Sequence, residues 1–297
     1  MLLSNKKQAL DTVWRLAAGL AAVYVLPALI IRLRMHSKFT PKPTTLYFQT
    51  LKSHWFHLIG SAGTWLLFDI VFYANGLFSS TLIAMMGLDT GVTPHEKLMS
   101  IAKFSIYLGL MALPGYWAAS LVIDRVGLKR LQIIGFVLLI IVYTLMGSLW
   151  DKLIVYPVLF VFLYGLSFFF CNFGPNTTTF VMPATIFPSE VRSTCSGLSA
   201  AAGKVGAVIG AYSMKPLLGA AGPGWTLITC AGVAVVGLIV TIIFVPAIMP
   251  VFPTTTATGA VEMTRMRYSP LDTGEAEDQQ QHHTALLLPE QPSTATV

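Results

Sequence analysis

The sequence predicts an all-α membrane protein with about seven transmembrane helices. Of its 297 residues, 55% are hydrophobic and 11% are charged, whereas about 25% of residues in soluble domains are charged. The mean hydropathy is +0.69. Stretches without any Asp, Glu, Lys or Arg cover 16–31, 70–88, 104–123, 131–150, 153–189 and 216–261. Because a bilayer core of about 30 Å is crossed by ~20 apolar helical residues, each stretch is long enough to hold most or all of a span.

The same composition excludes several other classes of protein. The cysteines lie in or beside apolar sequence, which predicts neither a disulfide framework nor a metal site: Cys171, Cys195 and Cys230. The net charge of +6 is explained by basic loops of a membrane protein, so we predict no nucleic-acid partner. His-rich metal spacing, a Ser/His/Asp set and a phosphate-cradling glycine loop are all missing from the sequence, which therefore predicts no enzyme and no cofactor.

The hydropathy pattern places the spans in order along the chain. We predict them at 12–33, 55–79, 99–123, 131–149, 153–180, 197–219 and 225–249, with kinks at Pro114 and Pro175. The resulting organisation is a first transmembrane helix within 1–33, a linker at 34–54, a six-helix unit at 55–249 and a disordered tail at 250–297. The tail is rich in Thr, Gln, Pro and acidic residues, a composition that buries too little apolar surface to fold.

The distribution of basic residues predicts how the chain is oriented in the membrane. The segments that follow the first, third, fifth and seventh predicted spans carry eleven Lys and Arg, whereas those on the other side carry four. By the positive-inside rule, the linker 34–54 and the C-terminal tail are cytoplasmic and the N-terminus lies outside. We predict a multi-pass protein of the plasma membrane, with the lipid bilayer as its surroundings.

Asp69 is the first ionisable residue that demands an explanation, because a charge inside a span costs about 2.5–3.5 kcal/mol on insertion scales. Trp65 and Tyr73 lie four residues before and after it, so the three side chains share one helix face. Aromatic belts occur at the ends of spans, whereas this cluster lies in the middle of one. We therefore predict a functional acid, either a fixed counter-ion or a carboxyl that gains and loses a proton.

The fifth predicted span carries a second polar cluster, in which Gly174 and Pro175 break the helix beside Asn176. Broken helices present polar groups to substrates in transporters. Ser, Thr and Asn also hydrogen-bond between helices, and we assign that role to the threonines at 177–179. For Asn176 we predict contact with a substrate.

Lys204 lies among small residues in the sixth predicted span, in the stretch Ser-Ala-Ala-Ala-Gly-Lys-Val-Gly at 199–206. A lysine there suits an anionic ligand or an ion pair with Asp69, and the alternative is a lysine that snorkels to the membrane surface. Arg15 and Lys215 lie near span ends and are interpreted as snorkelling residues. Lys103 receives no function.

Together these clusters resemble the phosphate:proton symporters of the major facilitator superfamily. The matching stretches are WLLFDIVFY at 65–73, FFCNFGPNTTTF at 169–180 and the segment 192–204. A further motif, DRVG at 124–127, resembles the loop between the second and third helices of each half in that superfamily. The resemblance covers roughly 12–249 and makes the chain similar to helices six to twelve of a twelve-helix transporter.

The resemblance implies roles for individual residues and partners. It implies that Trp65, Asp69, Tyr73 and Asn176 line a phosphate site, and that Asp69 and Lys204 couple phosphate to protons. It assigns a cytoplasmic gate to a further set: Asp124, Arg125, Gly127 and Arg192. It also implies a partner, either a separate N-terminal half or a full-length homologue, because other proton-relay acids of the family lie in helices one to five.

Two positions depart from the pattern that this family usually shows. Thr185 stands where members usually carry Glu, and Leu128 stands where they usually carry Arg. The two changes remove a salt bridge that helps to hold the cytoplasmic gate, unless Glu190 replaces it.

Several alternatives remain open from the sequence. The chain is either a proton-coupled phosphate transporter, a transporter half that is inactive alone, a phosphate sensor, or a symporter for another small solute. A seven-helix receptor has the same layout, but the Gly-Pro-Asn-Thr-Thr-Thr stretch disfavours it.

Overall fold

The computed structural model describes residues 11–34 with gaps at 13, 14, 17, 21, 22, 24, 28 and 32, residues 44–247 without a gap, and the short segments 253–255 and 261–263. The chain divides into two compact units, Met1–Thr44 and Thr45–Val297. Apart from the two short segments, the predicted disordered tail lies outside the described residues.

The first unit contains the predicted first span. Its described residues between Asp11 and Arg34 are helical, and they include a shorter apolar helix, α1 (Ala18–Ile31). Near the start of this helical stretch, Nε of Arg15 lies 2.8 Å from Oδ2 of Asp11, one turn earlier. Ion pairs of this spacing add a few tenths of a kcal/mol to a helix.

The second unit is helical throughout the stretch that would cross a membrane. Its elements are α2 (Thr44–Ser53), α3 (Trp55–Met85), α4 (Pro94–Val126), α5 (Leu128–Ser148), α6 (Trp150–Leu153), α7 (Pro157–Cys171), a π-helical turn (Asn172–Asn176), α8 (Thr177–Ile186) and α9 (Arg192–Phe244). Two three-residue strands, β1 (Pro253–Thr255) and β2 (Val261–Met263), pair antiparallel. Helix α2 occupies part of the predicted linker.

The prediction of an all-α membrane protein is confirmed. Five helices of the described residues are long and apolar enough to cross a bilayer, when α7, the π-helical turn and α8 are taken as one. Helix α9 has 53 residues, about 80 Å at 1.5 Å per residue, which is far longer than one crossing needs. It breaks at Gly222, whose φ of +79° is left-handed, so it accounts for the sixth and seventh predicted spans.

Local sequence determines where the third span begins, and the structure moves that start from 99 to Pro94. The Thr93 hydroxyl accepts from the Glu96 N–H at 3.2 Å, and the Glu96 carboxylate accepts from the Thr93 N–H at 3.0 Å. This reciprocal capping box, with Pro94 at the first helical position, satisfies N–H groups that would otherwise lack partners.

The helix is interrupted at one of the two predicted kinks and continuous at the other. Gly174, next to Pro175, has the non-helical angles φ −111° and ψ −106°, so the fifth span is kinked where the prediction placed it. Helix α4, in contrast, runs on through Pro114.

Helices α3 and α9 approach each other closely. A Cβ atom added to Gly206 would overlap the backbone carbonyl of Leu66, and one added to Gly210 would overlap that of Ile70. Small residues allow transmembrane helices to approach until their backbones touch. Nearby, the buried hydroxyls of Ser61 and Ser199 hydrogen-bond at 2.9 Å. The glycines of α9 therefore hold the helix that carries Lys204 against the helix that carries Asp69.

A buried polar network joins α3 to α5 and α7. The Asn75 amide donates to the Tyr143 hydroxyl at 3.0 Å and to the Ser167 hydroxyl at 3.3 Å. The Tyr164 hydroxyl donates to the backbone carbonyl of Asn75 at 2.7 Å. All four residues are buried, so this network connects three helices in the interior of the bundle.

Replacing Asn75 with leucine is expected to lower the free energy of unfolding by about 1 kcal/mol, because hydrogen bonds between transmembrane helices contribute about 0.6 to 1.7 kcal/mol. Ser79→Ala is the matched control on the same helix, since the Ser79 hydroxyl donates to the Gly76 carbonyl of its own helix. Thermal unfolding of both variants in the same detergent measures the difference. An Asn75→Leu variant as stable as Ser79→Ala would contradict this role.

Candidate functional site

The site is centred on an ion pair between two transmembrane helices. Oδ2 of Asp69 in α3 lies 3.8 Å from Nζ of Lys204 in α9, and the two side chains are 5% and 65% exposed. Oδ2 accepts no hydrogen bond from the described residues. The negative charge of the buried Asp69 carboxylate is thus partly neutralised by the Lys204 ammonium, which faces open space on the surface of this unit.

Aromatic residues complete this cluster on the face that the sequence predicted. Nζ of Lys204 donates to the Tyr73 hydroxyl at 3.0 Å and lies 5.0 Å from the centre of that ring. The position of a Cβ at Gly203 would overlap the Trp65 indole and lie 3.0 Å from Oδ2 of Asp69. The structure therefore brings Trp65, Asp69 and Tyr73 together with Lys204, because Gly203 leaves room for the indole.

Asn176 is placed in a second cluster at the break of the helix. Its Nδ2 lies 2.7 Å from the Tyr116 hydroxyl in α4 and 2.8 Å from Oδ1 of Asn172. Nδ2 of Asn172 donates to the backbone carbonyl of Ala112 at 2.9 Å. No hydrogen bond joins Asn176 to Asp69 within the described residues.

Ring contacts show how the two clusters are arranged relative to each other. The Trp65 ring lies 6.2 Å from that of Phe180, and the Phe72 ring lies 6.4 Å from that of Phe168. Residue numbers increase on α3 while they decrease on the opposite helix, so α3 is antiparallel to α7 and α8. Asn176 lies one turn before Phe180. Along the helix axis it therefore falls between the Trp65–Phe180 and Phe72–Phe168 contacts, and Asp69 falls in the same interval.

The residues predicted to form a gate lie where α4 meets α5 and where α9 begins. Asp124 and Arg125 are exposed at the end of α4, and Gly127 connects α4 to α5 with a φ of +85°. Nε of Arg192 donates to the Phe187 carbonyl at 3.1 Å. The described contacts thus place these residues at one end of the bundle.

An apolar cluster contains one of the two positions that depart from the symporter pattern. Leu128 is buried in a cluster with Met182, Ile186, Phe187, Val191, Cys195 and Val245. The Thr185 hydroxyl donates to the Met182 carbonyl at 2.9 Å, within its own helix. Lys129 donates to the Ile242 carbonyl at 2.8 Å, which places a cation at the carbonyl end of α9. Apolar packing and the Lys129 hydrogen bond are thus among the contacts at this end of the bundle.

Tyr116 is the site residue that the sequence analysis missed. The signal was weak, because nothing in the order of residues on α4 connects this tyrosine with an asparagine 60 positions later. The only feature of the sequence that set Tyr116 apart was its position two residues after Pro114.

Among the described residues, no group of three or more His, Cys, Asp or Glu is placed to hold a metal ion.

A helix broken in the middle of a span and an ion pair between two transmembrane helices are features of secondary transporters. The sequence family described as "Sugar (and other) transporter" matches residues 41–252. The chain belongs to this family, which is part of the major facilitator superfamily.

Matches to individual proteins are more specific than the match to the family. The chain is 44% identical over 170 residues to "Inorganic phosphate transporter 1-11" of Oryza sativa subsp. japonica, a match that covers 56% of this chain and 31% of the relative. It is 40% identical over 197 residues to "Probable inorganic phosphate transporter 1-6" of Arabidopsis thaliana, covering 64% of this chain and 38% of the relative. The resemblance to phosphate symporters is therefore confirmed.

A third relative matches a longer part of the chain at lower identity. It is "Glycerophosphoinositol permease 1" of Candida albicans (strain SC5314 / ATCC MYA-2876), 33% identical over 244 residues, or 80% of this chain and 46% of the relative. Across these three relatives the chain spans between about a third and a half of their length. All three carry the names of transporters or permeases.

Proposed function

We propose that this chain takes part in proton-coupled transport of inorganic phosphate, with Asp69 as the protonatable acid beside the phosphate site. The observation that carries the proposal is the pair of Asp69 and Lys204, 3.8 Å apart, of which only the lysine is exposed. An exposed ammonium attracts an anion, while a buried carboxylate beside it repels the same anion. Whether Asp69 is protonated then determines whether attraction by the ammonium or repulsion by the carboxylate is larger.

The size of that repulsion is sufficient for coupling. Two unit charges about 4 Å apart interact by ~4 kcal/mol at an effective dielectric near 20, which corresponds to nearly a thousandfold in affinity. Protonation of Asp69 removes this repulsion and turns the carboxyl into a hydrogen-bond donor. Phosphate binds in that state. Loss of the proton restores the repulsion and favours release.

The neighbouring groups provide donors for the anion. The Tyr73 hydroxyl accepts from Lys204, so its own proton is available to a phosphate oxygen. The Trp65 N–H and the Asn176 amide supply further polar contacts, and Lys204 supplies positive potential. We assign the phosphate site to Trp65, Asp69, Tyr73 and Asn176, and proton coupling to Asp69 and Lys204.

Transport also needs helices beyond this chain, because the phosphate transporters that it matches are longer than it is. We infer that the open face around Lys204 is completed by a partner, either an N-terminal half or a full-length homologue. Alternating access then arises when the two halves rock about the site. Asp124, Arg125, Gly127 and Arg192 form the cytoplasmic gate, and the linker and tail face the cytoplasm of a plasma-membrane protein.

Transport of a glycerophosphodiester is the second candidate function. It is favoured by the permease match, which covers 80% of the chain, against 56% and 64% for the two phosphate transporters. The higher identity to phosphate transporters and the ion pair favour inorganic phosphate. Competition between the two substrates in an uptake assay distinguishes the two candidate functions.

Uptake of radiolabelled phosphate tests the proposal, in cells that lack their own phosphate transporters and at external pH values from 5 to 8. The chain is expressed alone and together with the first five helices of a phosphate transporter relative. We expect uptake that rises as the pH falls when the chain and the five helices are expressed together. No uptake in either would refute phosphate transport, whereas uptake of radiolabelled glycerophosphoinositol that unlabelled phosphate does not block would support the second candidate.

A further inference from the structure

The orientation of the Asn176 amide follows from a chain of hydrogen bonds that starts at a backbone carbonyl. The Ala112 carbonyl can only accept, so the atom of Asn172 that faces it at 2.9 Å must be Nδ2. The other end of that amide, Oδ1, is an acceptor and lies 2.8 Å from Asn176. The atom of Asn176 that faces it must therefore be the donor, Nδ2.

This arrangement uses both hydrogens of the Asn176 amide. One is donated to Oδ1 of Asn172 and the other to the Tyr116 hydroxyl, at 2.7 Å. Oδ1 of Asn176 is left without a hydrogen-bond partner in the part of the chain that the structure describes, and Asn176 is only half-buried. The group that this residue offers to a ligand is an acceptor.

The Tyr116 hydroxyl is in the opposite situation. It accepts from Asn176, so its own hydrogen is available to donate. Tyr116 is 41% exposed, which leaves space for an anion to approach. A donor and an acceptor thus lie side by side, a pattern that matches the P–O⁻ and P–OH groups of a partly protonated oxyanion.

We propose that Tyr116 is a further substrate-binding residue, and that Tyr116 and Asn176 together select an oxyanion that still carries a proton. This inference rests on the proposed function and refines its substrate class. Tyr116 donates to an anionic oxygen, while Oδ1 of Asn176 accepts the hydrogen of a P–OH group. Inorganic phosphate and arsenate carry such a hydrogen near neutral pH, whereas sulfate and the phosphate group of a phosphodiester do not.

Discrimination of this kind follows when each polar group of the protein pairs with a complementary group of the ligand. A site that is built to pair with a ligand hydroxyl disfavours an analogue without it, because the protein group is then left unpaired. Sulfate would also place an oxygen against Oδ1 of Asn176, where two acceptors repel. The expected preference for phosphate over sulfate therefore depends on the orientation of the amide, which Tyr116 helps to hold.

Equilibrium binding of radiolabelled inorganic phosphate to the full chain, assembled in lipid nanodiscs with the first five helices of a phosphate transporter relative, tests the inference, with sulfate as a competitor. The variant is Tyr116→Phe, which removes only the hydroxyl. The matched control is Tyr107→Phe, because Tyr107 lies on the same helix and is 40% exposed, against 41% for Tyr116. Equal melting temperatures of the two variants confirm that both are folded.

Tyr116→Phe is expected to weaken phosphate binding at least about tenfold, as for loss of a hydrogen bond to a charged group. Sulfate should compete more effectively, because the released amide N–H can then donate to an oxyanion that has no proton. Tyr107→Phe should leave both affinities within about twofold. This change in selectivity separates a binding role from a structural one.

Unchanged phosphate affinity in Tyr116→Phe would overturn the inference and leave the proposed function intact. Weaker phosphate binding with unchanged discrimination against sulfate would also overturn it, since Tyr116 would then act as structural support alone. Absence of phosphate binding by the unsubstituted chain would overturn the proposed function and this inference together.

Discussion

Asp69→Asn is expected to abolish the pH dependence of phosphate uptake and to reduce accumulation to the background of cells without the chain. Asparagine has nearly the same shape as a protonated aspartate but cannot release a proton. The repulsion of about 4 kcal/mol that would expel phosphate is then never restored. Lys204 also loses the charge that lies 3.8 Å away. Phosphate is expected to remain bound, and uptake against a gradient to stop.

The comparison for this variant is Asp89→Asn. Oδ2 of Asp89 lies 3.6 Å from Nζ of Lys97, so it is also a carboxylate paired with a lysine, but it lies in the turn between α3 and α4. Exposed pairs contribute about 0–1 kcal/mol, and we expect normal uptake. Both variants are measured at pH 5 to 8 in the arrangement that gives uptake with the unsubstituted chain. Normal pH-dependent accumulation by Asp69→Asn would refute the proton role.

Gly206→Ala is expected to destabilise the bundle by about 2–3 kcal/mol, in the range of overpacked cores. The added Cβ would overlap the backbone carbonyl of Leu66, and backbone atoms cannot move aside as a flexible side chain can. Helices α3 and α9 must separate, which also draws Lys204 away from Asp69. We expect a lower melting temperature and loss of phosphate uptake from one added methyl group.

The matched control is the same substitution elsewhere in the same helix. A Cβ at Gly197 meets nothing within 4 Å, so Gly197→Ala should stabilise the helix by up to about 1 kcal/mol through helix propensity. The two variants should therefore shift the melting temperature in opposite directions. A shift of the same sign in both would mean that the close approach of α3 and α9 has no special importance.

Much of the candidate site could be predicted from the sequence, because its first cluster is local. Trp65, Asp69 and Tyr73 are four residues apart on one helix, and this spacing alone places them on one face. The break beside Asn176 was equally local, since Gly174 and Pro175 are adjacent in the chain. Tyr116 could not be found in this way, because its partner lies on another helix.

The sequence by itself determined the class of protein and the approximate positions of the spans. Hydropathy, capping residues and chain-breaking residues act over a few neighbours, so their effects can be read along the chain. Tertiary structure alone decided that Lys204 pairs with Asp69, that Gly206 touches the backbone of Leu66, and that the Asn176 amide is held by Asn172 and Tyr116. These contacts depend on helix packing and on the direction of hydrogen bonds, and neither is encoded in the spacing of residues.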